Sequence, residues 1–233
     1  MNATKKEVSN TAMAPSPEER EAFFTSVRPA LITEETHPDL ASTCPHTPVP
    51  GTDLLEVAVV NGTYVTQKEM QRFCCTQGEL FTSAAANQKK DPICFAPINK
   101  LLGIPLPDSE DVMPYVFFTP SPVSGAAALL DREALQNASN TLGGDLYILP
   151  SSIHEVLVLP SSILKPEELE VLVRSVNQTE VRPEDVLSDH VYHFDCQTKQ
   201  LSMPVTRNLY EEEKPEGHTN SMESLLIKNQ ALF

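Results

Sequence analysis

The sequence predicts an α+β protein, with a mixed, mainly antiparallel sheet of hairpins and helices packed on it, from three observations. Residues 54–60, Asn61-Gly62 and 63–65 form a hairpin signal, because Asn-Gly takes the two positive φ angles of a type I′ turn. Residues 146–160 place two apolar runs on either side of Leu149-Pro150-Ser151-Ser152, where Pro150 suits the second position of a type I turn. Lys165-Pro166-Glu167-Glu168 opens a helix in which Leu169, Leu172, Val173 and Val176 follow i, i+3, i+4, i+7 and so share one buried face.

The remaining elements follow in chain order. Residues 1–15 are polar and aperiodic and read as a flexible tail. Ser16-Pro17-Glu18-Glu19 is a capping box, opening a helix with Phe23, Val27 and Leu31 inward that Pro29 ends or bends. Prolines between 36 and 51 exclude a regular element and predict an ordered loop. Thr66-Gln67-Lys68-Glu69 is a second capping box, for a helix through Met70, Phe73 and Cys74 that Gly78 stops in a left-handed cap. A further helix over 79–87 turns Leu80, Phe81, Ala84 and Ala85 inward. The prolines of 92–114 make that stretch the candidate internal boundary.

Beyond it, 115–119 reads as a strand, Pro120-Ser121-Pro122 as a turn, and 125–130 as either strand or helix entry. Asp131 caps a helix running to about Asn140, which Gly143-Gly144 terminates. Residues 191–194 and 200–203 make a last hairpin. The expected organisation is a tail over 1–15, a single α+β domain over 16–205 and an acidic tail over 206–233. In that tail Tyr210 to Gly217 is too charged to bury, and 221–233 is expected to hold a short amphipathic helix.

A formal charge of −15, from 32 acidic against 17 basic residues, opposes binding to nucleic acid or anionic lipid, whose attraction depends on Lys and Arg. Five cysteines without a C-x-x-C pair fit neither a zinc site nor a disulfide framework. The first residues lead into no apolar run, and no stretch has the roughly 18 apolar residues of a membrane span, so the expected compartment is a reducing cytoplasm. Asn-x-Ser/Thr matches at Asn2, Asn61, Asn137 and Asn177 then carry no meaning. With 8 glycines, there is neither a Walker A nor a G-x-G-x-x-G loop.

Strand alternation through the 146–160 segment sets Ser152, His154, Val156 and Val158 on one face and Ile153, Glu155, Leu157 and Leu159 on the other. His154 and Glu155 therefore do not form a dyad. Ser152 and His154, i and i+2, are the candidate catalytic pair of nucleophile and base, with a carboxylate from elsewhere orienting the imidazole. They lack the Gly-x-Ser-x-Gly elbow and an oxyanion-hole loop. The competing reading is structural: Ser151 and Ser152 satisfy turn backbone, while His154 and Glu155 pair with other polar groups.

Both faces of the segment are largely apolar, which marks a central strand covered on two sides. Its Ile148–Ile153 pattern returns at 158–163 and reads as one turn chemistry used twice in a meander. His193 and Asp195 share a strand face and are the weak metal candidates, whereas His190 points the opposite way. Cys44-Pro45-His46 is a weaker thiol–imidazole candidate.

The segment 146–160 and the run Glu184-Asp185-Val186-Leu187-Ser188-Asp189-His190-Val191-Tyr192 resemble an uncharacterised bacterial domain-of-unknown-function family met mainly in anaerobic gut bacteria. The similarity extends through 125–130 and, more faintly, Pro45-His46 and 53–60, covering roughly residues 45–205. Family members are usually longer at the N-terminus, so the resemblance implies that an activity carried there is not shared. The family pattern holds Ser-Ile-His-Glu-Val at 152–156 and no histidine at 190 or 193, which lowers the metal reading; it implies neither substrate nor reaction.

The expectation is thus a cytoplasmic protein without catalysis or cofactor, acting through an unknown protein partner as a regulatory or accessory factor, with no nucleic-acid or membrane contact. A hydrolase using Ser152 and His154 is the alternative, and an acidic nucleic-acid mimic the third reading.

Overall fold

The computed structural model describes residues 14–103, 113–121, 124–150 and 152–204. In chain order the elements are α1 (Pro17–Ser26), β1 (Val27–Thr33), α2 (Pro38–Thr43), β2 (Thr47–Pro48), β3 (Leu54–Val60), β4 (Thr63–Tyr64), α3 (Gln67–Arg72) and α4 (Gln77–Gln88). Then come β5 (Cys94–Pro97), α5 (Ile98–Leu101), β6 (Tyr115–Phe118), a 3-10 turn (Gly125–Leu130) and α6 (Arg132–Leu142). The chain continues through β7 (Leu146–Leu149), β8 (Val156–Pro160), α7 (Pro166–Thr179), a short 3-10 turn (Pro183–Asp185), β9 (Tyr192–Asp195) and β10 (Gln200–Ser202). One sheet runs β1-β3-β2, with β4 also paired to β3; the other runs β10-β9-β7-β8-β6-β5. All pairings among the described residues are antiparallel, so the fold is α+β.

Local chemistry sets most boundaries. Ser16 Oγ accepts the Glu19 N–H while Glu19 Oε2 accepts the Ser16 N–H at 2.7 Å, and Pro17 fills the first helical position. The β3–β4 turn holds Asn61 at φ 50° and Gly62 at φ 81°. Asp131 Oδ1 accepts the Glu133 and Ala134 N–H groups, and Gly143 ends α6 at φ 84°.

Several expectations need correction. Helix α1 stops at Ser26, and Val27 and Leu31 enter the core from strand β1 instead. Pro29 sits in that strand because β1 is a sheet edge, where an absent N–H is tolerated. The proline-rich stretch 36–51 contains α2, with Pro38 in its first turn, and the short strand β2. Helix α3 is stopped by Cys74 at φ 49°, not by Gly78, which lies inside α4. A third capping box, Thr76 with Glu79, starts α4, which buries Leu80, Ala84, Asn87 and Gln88 and leaves Ala85 exposed and Phe81 half-buried. Residues 125–130, read as strand or helix entry, form a buried 3-10 turn. The second copy of the Leu-Pro-Ser-Ser pattern leads from β8 into α7, so the two copies are not successive turns of one meander.

The expected two-sided burial of β7 and β8 is present, since they are the central pair of the larger sheet. Leu146, Ile148, Val156 and Val158 face Phe117, Leu129, Leu135, Tyr192 and Phe194, together with Leu31, Val49 and Leu54 of the smaller sheet region. Leu149, Leu157 and Leu159 face Leu169, Leu172, Val173 and Val176 of α7. Among the described residues no helix is long and apolar enough to cross a membrane. Residues 1–13, 104–112, 122–123, Ser151 and 205–233, with the readings made for them, lie outside the described residues.

Candidate functional site

The polar motif does not continue β8 as expected. The strand begins at Val156, and Ser152, Ile153, His154 and Glu155 form the connection from β7. Regular alternation fails there because the loop pairs with a distant segment: Ser152 makes an isolated antiparallel bridge to Val186. The Ile153 N–H donates to the Asp185 carbonyl at 2.9 Å, the Ser188 N–H donates to the Pro150 carbonyl at 3.1 Å, and the Ala126 N–H donates to the Ile153 carbonyl at 3.1 Å. Residues 182–189 thereby form a strap across the loop. The 3-10 turn presses on its other side, where a Cβ on Gly125 would fall on the His154 carbonyl oxygen.

Side chains complete the clasp. Ser152 is 0% exposed, and its Oγ accepts the His154 backbone N–H at 3.0 Å. The His154 ring is partly open to solvent; its Nε2 lies 3.2 Å from Asp185 Oδ1, with the two side chains 16% and 13% exposed. Asp185 Oδ2 accepts from Arg182 Nε at 2.7 Å, so one carboxylate faces both an imidazole and a guanidinium. Glu155 is buried, and burial, then the nearby Asp185 charge, pushes its carboxyl up to about 8. Burial thus favours its protonated form.

The strap also touches the smaller sheet. His37 Nε2 meets the Glu184 carbonyl at 3.1 Å and the Thr36 hydroxyl donates to the Leu187 carbonyl at 3.2 Å. The Ser188 hydroxyl donates to Asp53 Oδ2 at 3.4 Å, and the Tyr192 hydroxyl donates to Asp53 Oδ1. Burial, followed by Asp53, holds the Tyr192 phenol well above its ordinary range. Tyr64 is pushed up to about 12 by burial, then by Cys44 and Asp185.

The other candidates are separate. His193 Nε2 is 3.5 Å from Asp145 Oδ2, while Asp195 Oδ1 accepts the Gln197 and Thr198 N–H groups at 2.8 and 2.7 Å in the β9–β10 turn. His190 precedes β9, so strand alternation does not govern it; its Nδ1 lies 3.7 Å from Glu170 Oε1. Among the described residues no group of three or more His, Cys, Asp or Glu side chains could hold a metal ion. The five cysteines are free thiols. Cys44 is buried, which raises its pKa, and His46 Nδ1 meets the Cys44 carbonyl oxygen at 3.2 Å.

Asp185, Arg182, Thr36, His37 and Asp53 were not singled out as site residues from the sequence. The one signal for Asp185 is its place in the second of the two stretches that carry the resemblance, and those two stretches prove to be in contact. A family model described as a family of unknown function, DUF5688, matches residues 54–196. The chain belongs to the DUF5688 family. The DUF5688 span contains both the loop and the strap, whereas Thr36, His37 and Asp53, which hold the strap from the other side, precede it. Neither the curated proteins nor the solved structures give a match.

Proposed function

We propose that the chain is a non-catalytic accessory factor of the cytoplasm that works by contacting another protein. The observation that carries this reading is Ser152: its hydroxyl is completely buried and engaged by its own loop, so a substrate carbonyl has no route to it. Ser152 and His154 instead help to anchor the strap, a structural use of polar groups. The charge of −15 favours a partner with a basic surface, through long-range steering. Free thiols suit a reducing compartment.

Two measurements test the reading. Wild type, Ser152→Ala and His154→Asn, each checked for folding by circular dichroism, are assayed on ester, amide and phosphoester substrates. Equal background turnover in all three supports it, and turnover lost in either variant overturns it in favour of the hydrolase. Cross-linking in the host, followed by reconstitution with the purified partner, should give a saturable, salt-sensitive complex; failure of every captured protein to reconstitute counts against the interaction role.

A further inference from the structure

Helix α3 ends on two adjacent cysteines in a Schellman arrangement. The Cys74 N–H donates to the Gln71 carbonyl at 3.2 Å and the Cys75 N–H to the Met70 carbonyl at 3.1 Å. Cys74 takes φ 49° for this, a left-handed conformation that glycine reaches without strain. Its side chain is exposed, and its thiol makes one contact of 3.6 Å, with the Gln71 carbonyl. Neither the backbone nor the packing therefore calls for a thiol at this position. Cys75 is partly buried against the cluster that holds Phe23, Val65 and Leu80. Thr76 caps α4 directly afterwards, so the joint between the two helices is Phe73 to Thr76, with both thiols in its middle.

Arg20 of α1 reaches this joint. Its Nε donates to the Phe73 carbonyl at 3.1 Å and its Nη2 to the Cys74 carbonyl at 3.5 Å, while the Arg72 guanidinium lies over the Phe73 ring at 5.3 Å. Glu79 and Glu19 each stand 3.9 Å from one of these guanidinium groups, in exposed positions. Cations beside a thiol favour the thiolate, the form that attacks a disulfide. Burial, then Glu79, raises the Cys75 thiol against the pull of Arg20, so the exposed Cys74 reacts first and Cys75 follows. The other cysteines sit in separate places: Cys44 at the end of α2, Cys94 in β5 and Cys196 after β9.

We propose that Cys74 and Cys75 form a reversible dithiol site, which a small disulfide such as oxidised glutathione converts to a vicinal disulfide. The Cys74 thiolate attacks one glutathione sulfur, forming a mixed disulfide and releasing one glutathione; the Cys75 thiolate then attacks the Cys74 sulfur and releases the second. The two thiol protons pass to the two glutathiones, and the electron pair lost by the cysteines reduces the glutathione disulfide. The second step is intramolecular, which offsets the weaker ionisation of Cys75. Adjacent Cα atoms stand about 3.8 Å apart, less than the roughly 4.4–6.8 Å that disulfides ordinarily span, so the closed ring is strained and thiols reopen it readily. Closure also ties the Cys75 side chain to an exposed neighbour, against its packing on the Phe23 and Leu80 cluster. The pair is suited to switching and not to holding the fold together.

The test adds oxidised glutathione to the reduced full chain under native conditions, blocks remaining thiols by alkylation and weighs the tryptic peptide Phe73–Lys89. Wild type should give a peptide two hydrogens lighter than the reduced one, carrying neither glutathione nor alkyl groups, and dithiothreitol should restore both alkylation sites. Cys75→Ala should stop at a glutathione adduct on Cys74, and Cys74→Ser should slow reaction of this peptide by about tenfold or more. A glutathione adduct that persists in wild type, a bond from either residue to a different cysteine, closure only in urea, or an unchanged rate in Cys74→Ser overturns the site. If Cys75→Ala does not fold, the wild-type mass and the Cys74→Ser rate decide.

Discussion

The Tyr192 hydroxyl donates to Asp53 across 139 positions of sequence, joining β9 of the larger sheet to the turn that leads into β3 of the smaller one. Tyr192 is completely buried and Asp53 also accepts from Ser188, so the carboxylate is bound from two directions. Tyr192→Phe removes one donor and leaves the acceptor in place. The expected loss is about 1–3 kcal/mol, seen as a lower urea midpoint with an unchanged slope.

Gly125 is expected to be far less tolerant. A Cβ there would collide with the His154 carbonyl and lie 3.0 Å from the Thr119 carbonyl, both backbone atoms that cannot swing aside. Gly125→Ala should cost more than about 3 kcal/mol or prevent folding, whereas Gly144→Ala, with nothing within 4 Å of the added carbon, should be close to neutral. Thermal melts of the two variants in parallel check the contrast.

Global stability should fall with alkalinity because of Glu155. Its folded-state carboxyl titrates at about 8 against an ordinary value of 4.5. A raised acid stabilises the fold fully below the unfolded value, and that contribution disappears as pH climbs through 4.5 to about 8. Glu155→Gln lacks this dependence. Unfolding free energies of wild type and variant from urea curves should therefore diverge progressively from about pH 5 to about pH 9, by on the order of 5 kcal/mol at the upper end. Parallel curves would show that burial does not hold the proton.

Asp131 offers a purely local test. Its Oδ1 accepts two N–H groups in the first turn of α6, which carries the buried Leu135 and Ala138. Asp131→Ala should lower stability by about 1 kcal/mol, and Asp131→Ser should restore most of it, in equilibrium denaturation.

What could be read from sequence was what short-range chemistry decides. Ser16 with Glu19, Thr66 with Glu69, Asp131, the Asn61-Gly62 turn and the Leu169–Val176 stripe all act within a few residues of themselves, and each appears where its spacing places it. Pro29 misled because whether a proline breaks a helix or sits in a strand depends on a partner more than 20 residues on, and only β3 makes β1 an edge strand. Ser152 to Glu155 misled for the same reason at greater range. Alternation assumes a regular ladder, and here the partner is the Val186 bridge and not the β7 neighbour. His193 and Asp195 do lie on one strand face, but alternation could not foresee that each is claimed by a different local contact.

Strand β1 lies wholly outside the 54–196 match, yet every residue of β3 from Leu54 to Val60 pairs with it. A fragment trimmed to the shared span would strip the β1 flank bare along all seven positions of β3 and, with β2 gone too, leave only the Val59 and Val60 pairings to β4. Such an edge invites another molecule to supply the missing row, so piecemeal expression of this protein would favour stacked aggregates over the intramolecular pairing with β1.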